Sequence, residues 1–203
     1  TGALSYGASA PLDLASVGGG NVFCAAEDTP WGTHLAAEEY DADAASLAQD
    51  GTIDGDRDGY NGMARYFGGS LVDRTPYGFG WVDEVQVLDA DGAVLVTKRS
   101  AMGRFSHEIA KALPDGRTVY LSDDGANGGL YLFVADVSGD LSVGRLYAAR
   151  VDEGPEGSRG SLSWVPLGRA SEAQIAPWLA RKVRFDELFD RVQGADGACP
   201  DGF

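Results

Sequence analysis

No apolar run in this chain of 203 residues approaches the roughly 18 that a membrane-crossing helix needs, so no membrane span is expected. Positive charge is scarce. Lys and Arg total 16 against 31 Asp and Glu, giving a formal net charge of −15. That balance argues against a nucleic-acid partner, whose binding draws on cations at phosphates. It argues equally against an electrostatic anchor on anionic lipid. It suits multivalent cations, or a protein kept soluble by self-repulsion. Cysteine is nearly absent: Cys24 and Cys199 leave room for one bridge but exclude a disulfide scaffold. The chain opens on Thr1 with no initiator Met or charged-then-apolar leader, and ends at Phe203. A processed chain or a piece of a longer one is expected.

Glycine is abundant. The 29 residues are about twice the usual share of roughly 7%, without a collagen period, so many tight turns are expected. Residues 1–21 read as loop. Residues 22–26 read as a short buried strand, and 35–39 as a strand ending in two carboxylates. Residues 41–69, dense in Asp and Gly, read as a long loop. Period-2 alternation then predicts hairpins: 80–88 with 93–98 around Asp89-Ala90-Asp91-Gly92, 117–122 with 129–135, and 143–151 with 161–167. Hairpins recurring every few tens of residues resemble the radial repetition of a propeller, and a barrel or sandwich gives similar spacing. Residues 171–192 read as helical, capped by Ser171 and split in two at Pro177. The expectation is one all-β region over 1–203 with a short helical segment near its end. Trp31, Trp81, Tyr120, Tyr131, Phe133 and Tyr147 are expected in its core.

Three stretches carry chemistry. Residues 24–39, running from Cys24 through Thr29-Pro30-Trp31-Gly32-Thr33 to Glu38-Glu39, combine a soft ligand with hard ones. A lone cysteine is also compatible with a small buried hydrophobe. In Gly103-Arg104-Phe105-Ser106-His107-Glu108, His107 and Glu108 pair a ligand with an acid/base, and Arg104 suits a phosphate. The same residues also fit an Arg–Glu ion pair over a core histidine. Tyr120-Leu121-Ser122-Asp123-Asp124-Gly125 places paired aspartates at a strand end, as calcium ligands or as a plain acidic turn. A fourth stretch, Asp54-Gly55-Asp56-Arg57-Asp58-Gly59, has the D-x-D-x-D-G spacing of a calcium loop, but Arg65 stands where an EF-hand has its bidentate Glu.

Together the first three stretches resemble the PhoX-type alkaline phosphatases. Supporting segments are residues 76–84, Leu130-Tyr131-Leu132-Phe133-Val134 and 144–149. The resemblance runs from about residue 20 to the end, and it rests on several motifs in matching order. It implies a β-propeller with an iron–calcium cluster on its axis, hydrolysing phosphomonoesters in the periplasm or outside the cell. It implies Cys24 as a thiolate on iron, with Glu38 or Glu39 and Glu108 as carboxylate ligands. Asp123 and Asp124 become candidate calcium ligands. From their own chemistry, Arg104 and His107 are the catalytic candidates. Asp54, Asp56 and Asp58 remain a separate calcium candidate.

The chain departs from the family pattern at Ala26 and Glu27, where a glycine pair is usual, and at His34, where an aromatic residue is common. It also lacks the downstream Arg-Pro-Glu-Gly-like motif. At about 45 residues per blade its length corresponds to roughly four blades, so a second fragment or further copies are expected to complete the ring. The competing expectation is a non-catalytic, calcium-clipped propeller serving as a surface, matrix or assembly protein. A calcium-dependent esterase or lactonase-like propeller is a third. A Cys24–Cys199 disulfide would contradict the iron role, because a disulfide sulfur is no thiolate.

Overall fold

The computed structural model describes residues 9, 11–40, 44, 75–125, 128–152, 154 and 159–189. The expected calcium loop at Asp54, Asp56 and Asp58, most of the expected 41–69 loop, and Cys199 lie outside the described residues. Within them the chain is mostly antiparallel sheet. The first sheet has four strands in sequence order: β1 (Phe23–Asp28), β2 (His34–Glu38), β3 (Val82–Val87) and β4 (Val94–Lys98). The second has five, again in order: β5 (His107–Ala112), β6 (Thr118–Asp123), β7 (Leu130–Val137), β8 (Asp140–Asp152) and β9 (Ser161–Ser171). Each sheet is an open meander, edged by β1 and β4 in one and by β5 and β9 in the other.

The turns explain the meander. Between β1 and β2, Thr29 N–H donates to the Thr33 carbonyl at 2.8 Å and the two threonine hydroxyls bond at 2.9 Å. Between β3 and β4, Asp89 Oδ1 accepts from the backbone of Asp91 and Ala93, each at 3.0 Å. Gly92 completes that turn at φ +91°, a conformation glycine adopts without steric cost. The three hairpins expected from alternation form as β3–β4, β6–β7 and β8–β9. β5 was not foreseen as a strand.

The sheets meet through apolar faces. Leu35 and Val82 of the first pack with Ala110, Val119, Leu121, Phe133 and Ala135 of the second, and Met102 and Leu141 fill between them. Trp81 and Phe133 are buried as expected, whereas Tyr120 is 36% exposed and meets Trp164 at a tilt, with ring centroids 6.0 Å apart. β1 is mostly exposed rather than buried. It is an edge strand, and its neighbour across the gap is β5.

The helical segment forms as α1 (Glu172–Ala180) and α2 (Phe185–Leu188). Ser171 caps α1 through a reciprocal box with Gln174. Contrary to expectation the break does not fall at Pro177, which sits inside α1. The carbonyl that Pro177 leaves without its usual donor belongs to Ala173, an exposed residue that water can serve. The helix ends instead where Lys182 turns left-handed at φ +55°. A partly buried ion network fastens α1 to the first sheet: Arg99 Nε donates to Glu84 at 2.6 Å and Nη1 to Glu172 at 3.2 Å.

Candidate functional site

The edge strands β1 and β5 lie side by side, tied by an ion pair between Lys111 and Glu27 at 2.7 Å. Each carries an irregularity at a predicted ligand. On β1 the register slips between Phe23 and Ala26, so the strand holds one residue more than β2 opposite it, at Cys24-Ala25. On β5 it slips between His107 and Ile109, leaving Glu108 as the extra residue. Bulges of this kind re-aim a side chain out of the ladder's alternation.

The result is a cluster assembled from both sheets. The Cys24 thiol is free, exposed and hydrogen-bonded to the Glu39 carboxyl. Glu39 in turn interacts with Asp124, and so does the Tyr40 hydroxyl. Glu108 stands close enough to act on Cys24 and Glu39 through its charge. Ser106 stitches the elements together. Its Oγ accepts the Tyr40 N–H at 2.8 Å, its N–H donates to Asp123 Oδ1 at 3.0 Å, and its carbonyl accepts the Asp124 N–H at 2.9 Å.

The electrostatics follow from crowding acids. The bond to Glu39 raises the Cys24 pKa above the ordinary thiol value, and burial, with the Glu39 and Glu108 charges, adds to it. Burial raises Glu39, the Cys24 thiol pulls it back, and the contact with Asp124 raises it further. Asp124 is lowered, chiefly by the Tyr40 hydroxyl. Of this acid pair Asp124 therefore gives up its proton first and Glu39 later.

Other expected site residues are employed elsewhere. Glu38 is fully buried, and its carboxylate accepts the backbone N–H of Asn21 at 2.9 Å, that of Trp81 at 3.0 Å and Lys98 Nζ at 3.0 Å. Glu38 is thus an internal anchor, and Glu39 is the member of the pair that meets Cys24. Asp123 likewise serves the loop, accepting from the backbone of Ser106. Arg104 holds the Pro76–Gly78 turn, with Nε on the Phe79 carbonyl at 2.8 Å and Nη2 on that of Pro76 at 3.0 Å. His107 has no exposed surface, and its Nε2 lies 3.1 Å from the Gly103 carbonyl. Burial lowers its pKa to about 3, so the ring is neutral and enclosed, as a core histidine would be. These contacts set Arg104 on the Pro76–Gly78 turn and His107 in the core.

Tyr40 and Ser106 were missed from sequence. The signal for Tyr40 was its place directly after the two glutamates. Ser106 lay inside a quoted motif but carried no chemistry of its own.

Among the described residues no three His, Cys, Asp or Glu side chains form a ready-made cage for an ion. The donor set nonetheless fits one. A thiol and the carboxylates of three further residues are the groups that a thiophilic metal and a hard cation would take once deprotonated.

Comparison with known proteins gives one match. The family described as alkaline phosphatase PhoX aligns with residues 7–197, nearly the whole chain. No curated protein and no solved structure matches it.

Proposed function

The chain belongs to the PhoX alkaline phosphatase family, and from that premise we propose that it is a metal-dependent phosphomonoesterase acting outside the cytoplasm, with its centre at the Cys24–Glu39–Glu108–Asp124 cluster. The observation that carries the reading is the convergence of those four residues from three separate motifs and two sheets. The edge-to-edge meeting of β1 and β5, each the first strand of a meander, supports a propeller in which these strands line the axis.

Iron and calcium are the proposed metals, with Cys24 and Glu39 on the iron side and Glu108 and Asp124 completing the set. Bound there, they would neutralise the charge that builds on the phosphoryl oxygens as the ester bond breaks. The protein's own part is preparation. The bulges turn Cys24 and Glu108 toward each other's strand, and Ser106 fixes Tyr40 relative to Asp124. The Cys24 thiol must lose its proton to bind a cation, so metal uptake releases a proton and strengthens as pH rises. The overall acidity of the chain, which would repel a phosphate dianion, is offset locally by the cations it holds.

The test is elemental analysis of the protein isolated without chelator, followed by hydrolysis of an aryl phosphate monoester. Iron with calcium, and hydrolysis abolished by Cys24→Ala and Glu39→Gln, is the expected result. Metal-replete protein without phosphatase activity would overturn the reading.

A further inference from the structure

We propose that the outer face of the second sheet takes the first sheet of a second copy of this chain, so that copies associate head to tail. The pairing register defines the face. Ala112, Val119, Phe133 and Leu146 form one row across four strands and face the first sheet. The neighbouring row, Lys111, Tyr120, Leu132, Tyr147 and Pro166, crosses all five strands and points away from it. Trp164 extends this row's apolar field beside Tyr120. Leu130 and Leu162, on the same face, are 40% and 49% exposed. A continuous apolar face left to solvent marks an interaction surface.

Charge selects the occupant. Arg145 and Arg169 close the face at the end nearest the β7–β8 turn, directly opposite each other in the ladder. Asp136 pairs with Arg169, and the exposed Arg145 makes no hydrogen bond among the described residues. Like charges opposed across strands destabilise a sheet, and an acidic partner relieves them. The chain carries such a surface itself. On the first sheet Leu35 and Val82 face the second, so His34, Val85, Val87 and Val94 point outward. Val87 is 64% exposed and Val94 41%. The turn beyond them holds Asp89 and Asp91, both exposed. Trp31 of the β1–β2 turn lies against Gly139 of the β7–β8 turn. The acidic end of the first sheet and the arginine end of the second are therefore at the same end of the molecule. A second copy, laid on the outer face in the sense that the first sheet has on the inner one, brings its valines onto Tyr120 and Leu132 and its aspartates onto Arg145. Such an interface joins two different faces and is heterologous, each copy offering one of each. It uses no residue of the Cys24 cluster and goes beyond the phosphatase reading.

The test is the mass of the full chain in solution, by sedimentation equilibrium over a range of concentrations. The expected result is a species heavier than one 21.3 kDa chain, its share falling as salt rises. Val87→Glu and Tyr120→Glu each spoil one of the two faces, and each alone is expected to weaken association about tenfold or more. Mixed in equal amounts they should form a two-chain species and nothing larger, because each supplies the face the other lacks. Arg145→Glu changes an exposed side chain and should also weaken association, with Asp91→Lys in the same chain restoring it. Unchanged circular dichroism spectra establish that the variants are folded. A single-chain mass at every concentration overturns the proposal and leaves the face to another occupant. Folded variants that associate as well as wild type overturn it, and so does a mixture that stays monomeric.

Discussion

Glu38 and Glu39 are neighbours in the chain and belong to different parts of the molecule. One is enclosed and bonded to Lys98 at 3.0 Å, and the other is joined to Cys24 at the cluster. Truncating Glu38 strands a buried lysine and two backbone N–H groups. Glu38→Ala is expected to cost about 3–5 kcal/mol of stability, read from urea unfolding. Glu39→Gln relieves a crowded acid pair. It is expected to stay within about 1 kcal/mol of wild type while abolishing metal uptake.

Asp83 supplies a pH dependence. It is 1% exposed, neither carboxylate oxygen has a described partner, and burial raises its pKa from 3.8 to about 7, against the pull of Lys98. The folded state thus holds a proton that the unfolded chain has released between those values. Stability is expected to fall as pH climbs from about 4 to about 7 and then to level off. Asp83→Asn should flatten that decline, giving a variant more stable than wild type by about 2–4 kcal/mol at pH 8. Thermal unfolding across the pH range checks it. A parallel decline in both proteins would assign the dependence to other groups.

The Cys24 thiol is exposed but held protonated by its bond to Glu39. In a Cys199→Ser background, its alkylation by iodoacetamide is expected to be slow at pH 7 and to accelerate only beyond the usual thiol range. Glu39→Gln removes the leading cause of the raised pKa and should speed the reaction at neutral pH. Mass spectrometry of timed samples measures this directly.

Gly144 lies against the Phe133 ring and the Val134 carbonyl, where an added Cβ would collide with both. It lies on β8, an interior strand of the second sheet paired to Ala135 on one side and Ala170 on the other, so the backbone has little freedom to yield. Gly144→Ala is expected to destabilise by roughly 1–3 kcal/mol, visible as a lowered Tm without loss of metal binding in the folded protein.

The hairpins were legible because Val85 and Val87 alternate with polar residues opposite Val96 and Val94, and the Asp89–Gly92 turn is local chemistry. β5 was not, because the extra residue at Glu108 breaks its alternation at the start. Cys24 and Glu108 were legible as chemistry. The choice between Glu38 and Glu39 was not, since it depends on which face of β2 meets Lys98 and the Trp81 backbone. His107 read as a catalyst or a core group, and only its enclosure against Phe105, with ring centroids 3.8 Å apart, decides between them.

The two bulges have a genetic consequence. A regular ladder would need one residue fewer in β1 and one fewer in β5. Removing Ala25 or Glu108 would therefore mend a strand while dismantling the centre. A lineage could lose the activity by a single in-frame codon deletion and keep a sheet as sound as before, or sounder. The proposed centre thus depends on two extra residues that the ladders themselves do not require.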